Sequence, residues 1–358
     1  MSESSETSDD NPADKIRVAV IGASGYTGAD LVRLAINHPN IEIMSLAAKT
    51  HAGKPMAEVF PHLGRISLPD LVDVDEVNWD EVDVVFCGLP HGTAQDIIVK
   101  LPERLKVVDM SADFRIRDYE TYEEWYGRPH LATDLLDQAV YGLTEYYRAQ
   151  LRSARLVACP GCYPTATLMA LLPVVEAGLV EAEDLIVDAK SGVSGAGRGL
   201  KQGTLFSEAG EGLSPYSIGV HRHAPEIEQE ISKAHGGNVT VNFTPHLVPM
   251  SRGELVTCYV RLAANHTPAD LRSTLENRYA SEPFIEVLRE GVIPATQHAR
   301  GSNYCLINVF EDRIPGRAII IAALDNLVKG SAGQAIQNFN VMIGVDETRG
   351  LEQQCLFP

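Results

Sequence analysis

The first apolar run of the chain, Ile16–Ile21 (IRVAVI), leads without a break into Gly22-Ala23-Ser24-Gly25-Tyr26-Thr27-Gly28. A helical pattern follows over residues 29–37 and a second strand pattern over Ile41–Ala47 (IEIMSLA). Strand, glycine turn and helix in that order present backbone N–H groups and a helix N-terminus to a pyrophosphate. The spacing is G-x-x-G-x-x-G rather than the commoner G-x-G-x-x-G, so its context carries the assignment. Strand patterns at 82–87 and 106–110 complete the reading of this half as an α/β unit with an open parallel sheet.

The end of the second strand indicates the dinucleotide. A site for the unphosphorylated ribose places an Asp or Glu there, whereas a 2′-phosphate calls for basic and hydroxyl groups. This chain has Ala47-Ala48-Lys49-Thr50-His51, with Lys54 beyond and no carboxylate, which predicts NADP. Ligands bind beyond the carboxyl ends of such strands. Leu89, Pro90 and His91 lie in the loop after the third strand, and Ser111 and Arg115 in the one after the fourth. Arg115 is a candidate clamp for a phosphate or carboxylate, with a surface ion pair to Asp113 or Asp118 as the alternative.

Chemistry concentrates in Cys159-Pro160-Gly161-Cys162-Tyr163-Pro164-Thr165, followed by an apolar helical run over 166–175. Pro and Gly make a tight turn, and Thr165 or Thr167 is suited to cap the helix. A thiol at such a helix N-terminus feels the positive end of the macrodipole, which favours thiolate. From about Leu185 the pattern changes to longer alternating strands, at 185–189, 239–243, 253–263, 304–310 and 317–323. Two helical segments, 225–234 and Pro268–Tyr279, interleave. The expectation is a mainly antiparallel sheet with helices on one face. Polar groups that a core does not need lie in Ser191–Arg198, His221–Glu226 and Pro245–Gly253. H-x-H without a companion carboxylate or cysteine set at ligand spacing does not make a zinc site, and no metal is expected.

The chain has 358 residues, 45% of them hydrophobic, enough for two domains with full cores. A formal net charge of −18 argues against binding nucleic acid or a membrane surface. No apolar run reaches the roughly 18 residues of a membrane helix. Residues 1–14 are polar and acidic and read as a disordered tail. Six scattered cysteines give no secreted disulfide framework, so a reducing cytoplasm is expected.

Taken together, GASGYTG, SADFR, PGCYPT, SGVSGAGR, HRHAPEIEQ and LDNLVKGSAGQAIQN resemble the N-acetyl-gamma-glutamyl-phosphate reductase family, in one order from about Ile16 to the C-terminus. The resemblance implies an NADP-binding Rossmann domain, residues 15–161 and 331–358, and a catalytic and oligomerisation domain, residues 162–330. It implies reversible NADPH-dependent reduction of N-acetyl-L-glutamyl 5-phosphate to the 5-semialdehyde in arginine biosynthesis, by a homodimer or homotetramer. By motif, Cys162 would be the nucleophile and His221 the acid/base, with Glu226 orienting the histidine. His223, two residues on in an extended segment, would face the other way. Gly22 to Gly28 (Gly22, Ser24, Gly25, Tyr26, Thr27, Gly28), Lys49, Thr50, Leu89, Pro90, His91, Gly195 and Asn326 would hold cofactor. Ser111, Arg115, Ser194, Arg198 and Arg222 would hold substrate. One departure is Cys159, where the family often has Asn or an apolar residue. Cys159-x-x-Cys162 raises a disulfide that blocks catalysis, and a rival reading as a thiol–disulfide protein. The nearer rivals are a carrier-linked aminoadipyl-phosphate reductase and aspartate-semialdehyde dehydrogenase, the latter without HRHxPE.

Overall fold

A computed structural model describes residues 15–358; the acidic segment 1–14 lies outside the described residues. Two seven-stranded sheets organise the chain. The strands of the first are β1 (Ile16–Ile21), β2 (Ile41–Ala47), β3 (Leu71–Val72), β4 (Val84–Cys87), β5 (Lys106–Asp109), β6 (Val140–Tyr141) and β7 (Leu156–Ala158). Their spatial order is β3-β2-β1-β4-β5-β7-β6, with every pairing parallel. Parallel strands need both faces covered, and the central ones read as continuous apolar runs for that reason. The order reverses between β1 and β4, which places a crevice above their carboxyl ends, beside the glycine turn.

The second sheet contains β8 (Leu185–Gly192), β9 (Ser214–Pro215), β10 (Val241–Val248), β11 (Glu254–Arg261), β12 (Ile285–Val287), β13 (Cys305–Glu311) and β14 (Arg317–Leu324). Its order is β12-β13-β14-β11-β8-β10-β9. Four pairings are antiparallel and two, β8 with β10 and β12 with β13, are parallel. Along β8 burial alternates strictly: Leu185, Val187 and Ala189 are inside while Ile186, Asp188 and Lys190 are half-buried on the other face. The inner face packs on the helices Cys162–Glu176, His223–His235 and Pro268–Tyr279.

Sequence pattern and structure part at two places that bear on the site. Strand β10 runs on to Val248, so Pro245 and His246 sit in the ladder beside Ala189 and Lys190 rather than in a connection. The helix after the cysteine turn begins at Cys162 itself, four residues before the apolar run. Its N-cap is Gly161 with no side-chain cap; the Thr165 hydroxyl instead donates back to the Gly161 carbonyl, at 3.0 Å. The C-terminal helix Gly333–Ile343 returns to the first sheet and joins its core through Ile336, Phe339 and Met342.

Candidate active site

The glycine turn is shaped by steric need. Gly22 has φ +84°, and a side chain there would overlap the Gly88 carbonyl of the loop after β4. A Cβ on Gly28 would overlap the Gly22 carbonyl oxygen, so the helix Tyr26–Ala35 can approach the turn only with glycine at that position. Gly25 is the N-cap and has no side-chain cap, which leaves the first N–H groups of the helix facing the crevice. Ser24 and Thr27 are half-buried in this turn and Tyr26 is exposed. Lys49 and Thr50 stand exposed on a short 3₁₀ turn just past β2, on the side where a ribose 2′-phosphate would lie. Leu89 is half-buried, and Pro90 and His91 are exposed, in the loop past β4. A glycine cradle, a free helix N-terminus and an exposed lysine in place of an acidic residue fit NADP.

A second cluster gathers at the N-terminus of the helix Cys162–Glu176. The segment Val328–Ala332, a single π turn, touches both centres. A Cβ on Gly330 would lie 2.7 Å from Cys162 Cβ, while the Ser331 hydroxyl is 3.4 Å from Thr27 Oγ1 in the glycine turn. One turn therefore holds the cysteine against the cofactor crevice. Nearby, Asn326 joins two loops: its amide donates to Ser194 Oγ at 3.0 Å, and its oxygen accepts from the Gly253 N–H at 2.9 Å. Gly195 lies against the Ser191 hydroxyl and the Asn326 amide, so Ser194, Gly195 and Asn326 form one wall.

The histidine pair lies against the residues that flank Cys162, Gly161 and Tyr163. His221 packs edge-on against Tyr163, Tyr216, Phe243 and His223, with centroids 4.7–5.8 Å apart. The expected alternation fails here because Arg222 has α-helical torsions and caps the helix His223–His235. His223 therefore turns toward the same place as His221, and its ring lies so close over Gly161 that a Cβ there would overlap it. The His223 N–H donates to His221 Nδ1 at 3.1 Å, which leaves Nε2 of His221 to carry the ring proton. Burial, with the Arg222 charge second, lowers His221 to about 4, so the ring is neutral at physiological pH. Burial, with His221 second, lowers His223 well below an ordinary imidazole.

Four expected roles are corrected by these contacts. Glu226 is buried and, among the described residues, makes no hydrogen bond to either imidazole: it accepts from the Gly161 N–H at 2.9 Å and the Tyr141 hydroxyl at 2.8 Å, and pairs with Arg115 at 3.4 Å. It braces the cysteine turn rather than a histidine. Arg115 is buried and engaged on three sides, by the Cys159 carbonyl, the Met110 carbonyl and Glu226, so it offers a buried charge and no open fork. Ser111 points inward, donating to buried Asp109 at 2.7 Å. Arg198 reaches across to the cofactor side, where it donates to the Ser24 carbonyl at 3.1 Å and stacks over Phe60. Arg222 alone of the three arginines stays half-exposed beside the histidines, its guanidinium 5.5 Å from the Tyr126 ring centre.

The thiol itself departs from the helix-dipole expectation. Burial, and after it the Glu254 carboxyl, push Cys162 well above an ordinary thiol, outweighing the helix N-terminus and the distant Arg115 charge. Glu254 is the group that motif reading missed; only a polar residue opening an otherwise alternating strand gave a signal, and β11 turns it inward. Cys159 is a separate matter. It is fully buried, its sulfur 3.5 Å from the Asn338 amide, and burial raises it to about 12. Both cysteines are free thiols.

Comparison with known proteins agrees with this arrangement. Residues 17–154 match the family model described as semialdehyde dehydrogenase, NAD binding domain, and residues 162–326 the one described as semialdehyde dehydrogenase, dimerisation domain. A probable N-acetyl-gamma-glutamyl-phosphate reductase, chloroplastic, of Arabidopsis thaliana is 54% identical over 99% of this chain and 88% of its own length. The N-acetyl-gamma-glutamyl-phosphate reductase of Rhodospirillum rubrum is 52% identical over 97% of this chain and all of its own. Among solved structures, aspartate semialdehyde dehydrogenase II of Vibrio cholerae superposes with a TM-score of 0.69 at 18% identity, over 92% of this chain and 99% of that one. The Candida albicans enzyme, solved with NADP, gives 0.65 at 19% over the same shares, and at such identities the likeness concerns the fold. With sequence identity above one half along nearly its whole length, this chain belongs to the N-acetyl-gamma-glutamyl-phosphate reductase family of the semialdehyde dehydrogenase fold.

Proposed function

We propose that this protein reduces N-acetyl-L-glutamyl 5-phosphate to N-acetyl-L-glutamate 5-semialdehyde and phosphate, reversibly, through a thioester on Cys162. The observation that carries the reading is the π turn Val328–Ala332, which seats Cys162 against the crevice of the glycine turn. An acyl phosphate is an activated electrophile; sulfur attack forms the C–S bond as the C–O bond to phosphate breaks. When bound, NADPH supplies the hydride that reduces the thioester. Collapse of the resulting thiohemiacetal then releases the aldehyde and frees the sulfur.

His221 is the acid/base group of this reading, and its Nε2–H suits it to the acyl oxygen, where negative charge develops. Glu226 and Arg115 hold the Gly161 N–H and the Cys159 carbonyl, fixing the turn on both sides of Pro160. Arg222 is the cation placed to meet the substrate carboxylate or phosphate, with Ser194 on the opposite wall. Lys49 and Thr50 hold the 2′-phosphate, and the Ser24–Gly28 backbone, Leu89, Pro90, His91, Gly195 and Asn326 surround the rest of the dinucleotide. The division into domains follows the two sheets: 15–161 with 331–358 for the cofactor and 162–330 for catalysis and assembly. The outer face of the second sheet, with Ile186, Tyr259, Ile319 and Ile321 half-buried, is the surface on which a second copy would pack. Among the described residues no helix is long and apolar enough to cross a membrane. Six free cysteines favour a reducing compartment such as the cytoplasm.

The test is phosphate-dependent NADP reduction with a panel of semialdehydes, from N-acetylglutamate, aspartate and carrier-linked aminoadipate. The N-acetylglutamate compound is expected to be turned over with the highest kcat/KM. A higher value for either of the others would overturn the substrate.

A further inference from the structure

We infer that Glu254 is the group that takes the Cys162 thiol proton when the thioester forms and returns it when the aldehyde leaves. The inference deepens the thioester reading and rests on it.

The geometry begins with the strand register. Glu254 opens β11, pairing with Ser191 of β8 on one side and Leu324 of β14 on the other, in the middle of the second sheet. Leu324 and Cys162 both close on Gly330, so the inward side of this register position is the floor beneath Cys162. Glu254 is wholly buried there. Among the described residues, neither of its oxygens has a hydrogen-bond partner of full geometry, and the Cys162 thiol is the hydrogen-bonding side chain within reach. A buried carboxylate without donors is costly, and the ordinary outcomes are a partner or a proton. The groups that face it are few. The Cys162 thiol lies above it on the helix Cys162–Glu176, and the Asp325 charge stands at the end of β14. Tyr163, Tyr216 and Cys305 feel its charge from the same helix, the segment after β9, and β13. Arg115 is a cation whose charge reaches the thiol. Among the described residues no lysine or arginine pairs with Glu254: Arg252, two residues away, is committed to Asp30 and Asp325.

His221 does not fill this role. Its Nδ1 already accepts from the His223 N–H, so its free nitrogen is a donor and suits oxygen rather than a thiol proton. The thiol proton therefore needs another acceptor, and Glu254 is the acceptor in place. Burial raises it to about 8, which leaves a minor ionised fraction near neutrality and matches its basicity to an unusually weak thiol acid. The step balances. The S–H bond breaks and an O–H bond forms on Glu254 as sulfur bonds to the acyl carbon, and phosphate departs with its electron pair. After reduction, the C–S bond breaks, the carbonyl re-forms, and the Glu254 O–H returns its proton to sulfur.

The experiment pairs two readouts on Glu254→Gln, an isosteric change that removes the carboxylate base and keeps its shape. Alkylation of Cys162 by iodoacetamide, followed by mass spectrometry across pH, reports the thiol whether or not the enzyme turns over. Steady-state kinetics across the same pH range report the proton transfer. Removing a like charge should lower the alkylation midpoint by about one pH unit or more. At the same time kcat should fall by about a hundredfold or more, KM should change little, and the rise of kcat/KM through pH about 8 should vanish. A thiol that becomes easier to alkylate while the enzyme becomes slower is the signature expected. Unchanged turnover with an unchanged pH profile would overturn the inference, whatever the alkylation curve does. On the unsubstituted protein, infrared difference spectra should show a carboxyl group titrating near pH about 8 that responds to alkylation of Cys162; its absence would also overturn it. Activity surviving in Cys162→Ser would instead refute the thioester reading, and the two failures are separable.

Discussion

The crevice at β1 and the pocket around Cys162 solve different problems. In the first, shape is local: seven consecutive residues make the turn, and its glycines are fixed by carbonyl oxygens at Gly22 and Gly88. In the second, nothing is local. Cys162, His221 with Glu226, Glu254 and Gly330 come from four separated segments, and their meeting depends on the second sheet and the returning C-terminal helix. The crevice works with neutral, partly exposed backbone, whereas the pocket works with titratable groups whose proton affinities are set first by burial and then by one another. A cofactor that is bound and released suits an open cradle. Proton transfers to sulfur and oxygen suit a place where water is excluded and donors are fixed.

Substitutions sharpen this contrast. The largest effect is expected in the pocket. His221→Ala should lower kcat by about 10²–10³, the usual loss of one donor aimed at a developing oxyanion, while NADPH affinity stays within about threefold. His223→Ala should cost less turnover, because His223 acts through its N–H to His221 and its packing on Gly161. Kinetics with cofactor titration separate the two, and a larger loss for His223 would exchange their roles.

In the crevice the expected effects are steric and fall on the cofactor. Gly28→Ala should weaken NADPH binding by about a hundredfold or more, since the new methyl overlaps the Gly22 carbonyl and displaces the helix. Gly25→Ala, whose Cβ would sit 3.4 Å from the same oxygen at a negative φ, should be far milder. Equal losses by fluorescence titration would break the claim that shape rather than side-chain chemistry governs this end.

The smallest effect concerns Lys49. Its charge is exposed and screened by solvent, so Lys49→Ala should reduce the preference for NADPH over NADH by about tenfold, mainly through KM. An unchanged preference would move recognition of the 2′-phosphate to Thr50 or His51.

How much of this was legible in the sequence follows the same division. The glycine turn, the missing carboxylate after β2 and the Cys162 turn are each contiguous, so the local sequence and its strand–helix context expose them. The strand patterns survive because alternation reports a sheet with one covered face, as along β8. The short strands β3, β6, β9 and β12 carry too few residues for any period to show. The partners of Glu226 and Arg115 were unreadable because they lie far off in sequence, the pair itself joining residues 111 apart. The thiol was misjudged for a related reason. The helix N-terminus is visible in the sequence, but the desolvation that outweighs it, and Glu254 beneath, belong to the fold. Even the expected alternation of His221 and His223 failed on one torsion, the helical ψ of −11° at Arg222.

The thioester is the central claim, and it can be caught directly. The enzyme is mixed with N-acetylglutamyl phosphate in the absence of NADPH, quenched in acid and digested, and the cysteine-bearing peptides are weighed. The Cys162 peptide should carry one N-acetylglutamyl group in a hydroxylamine-labile bond, with phosphate released in equal amount, and NADPH added before the quench should discharge it. Cys162→Ser should release no such burst. An unmodified Cys162 in an enzyme that turns over normally, or the acyl group found on Cys159, would contradict the account.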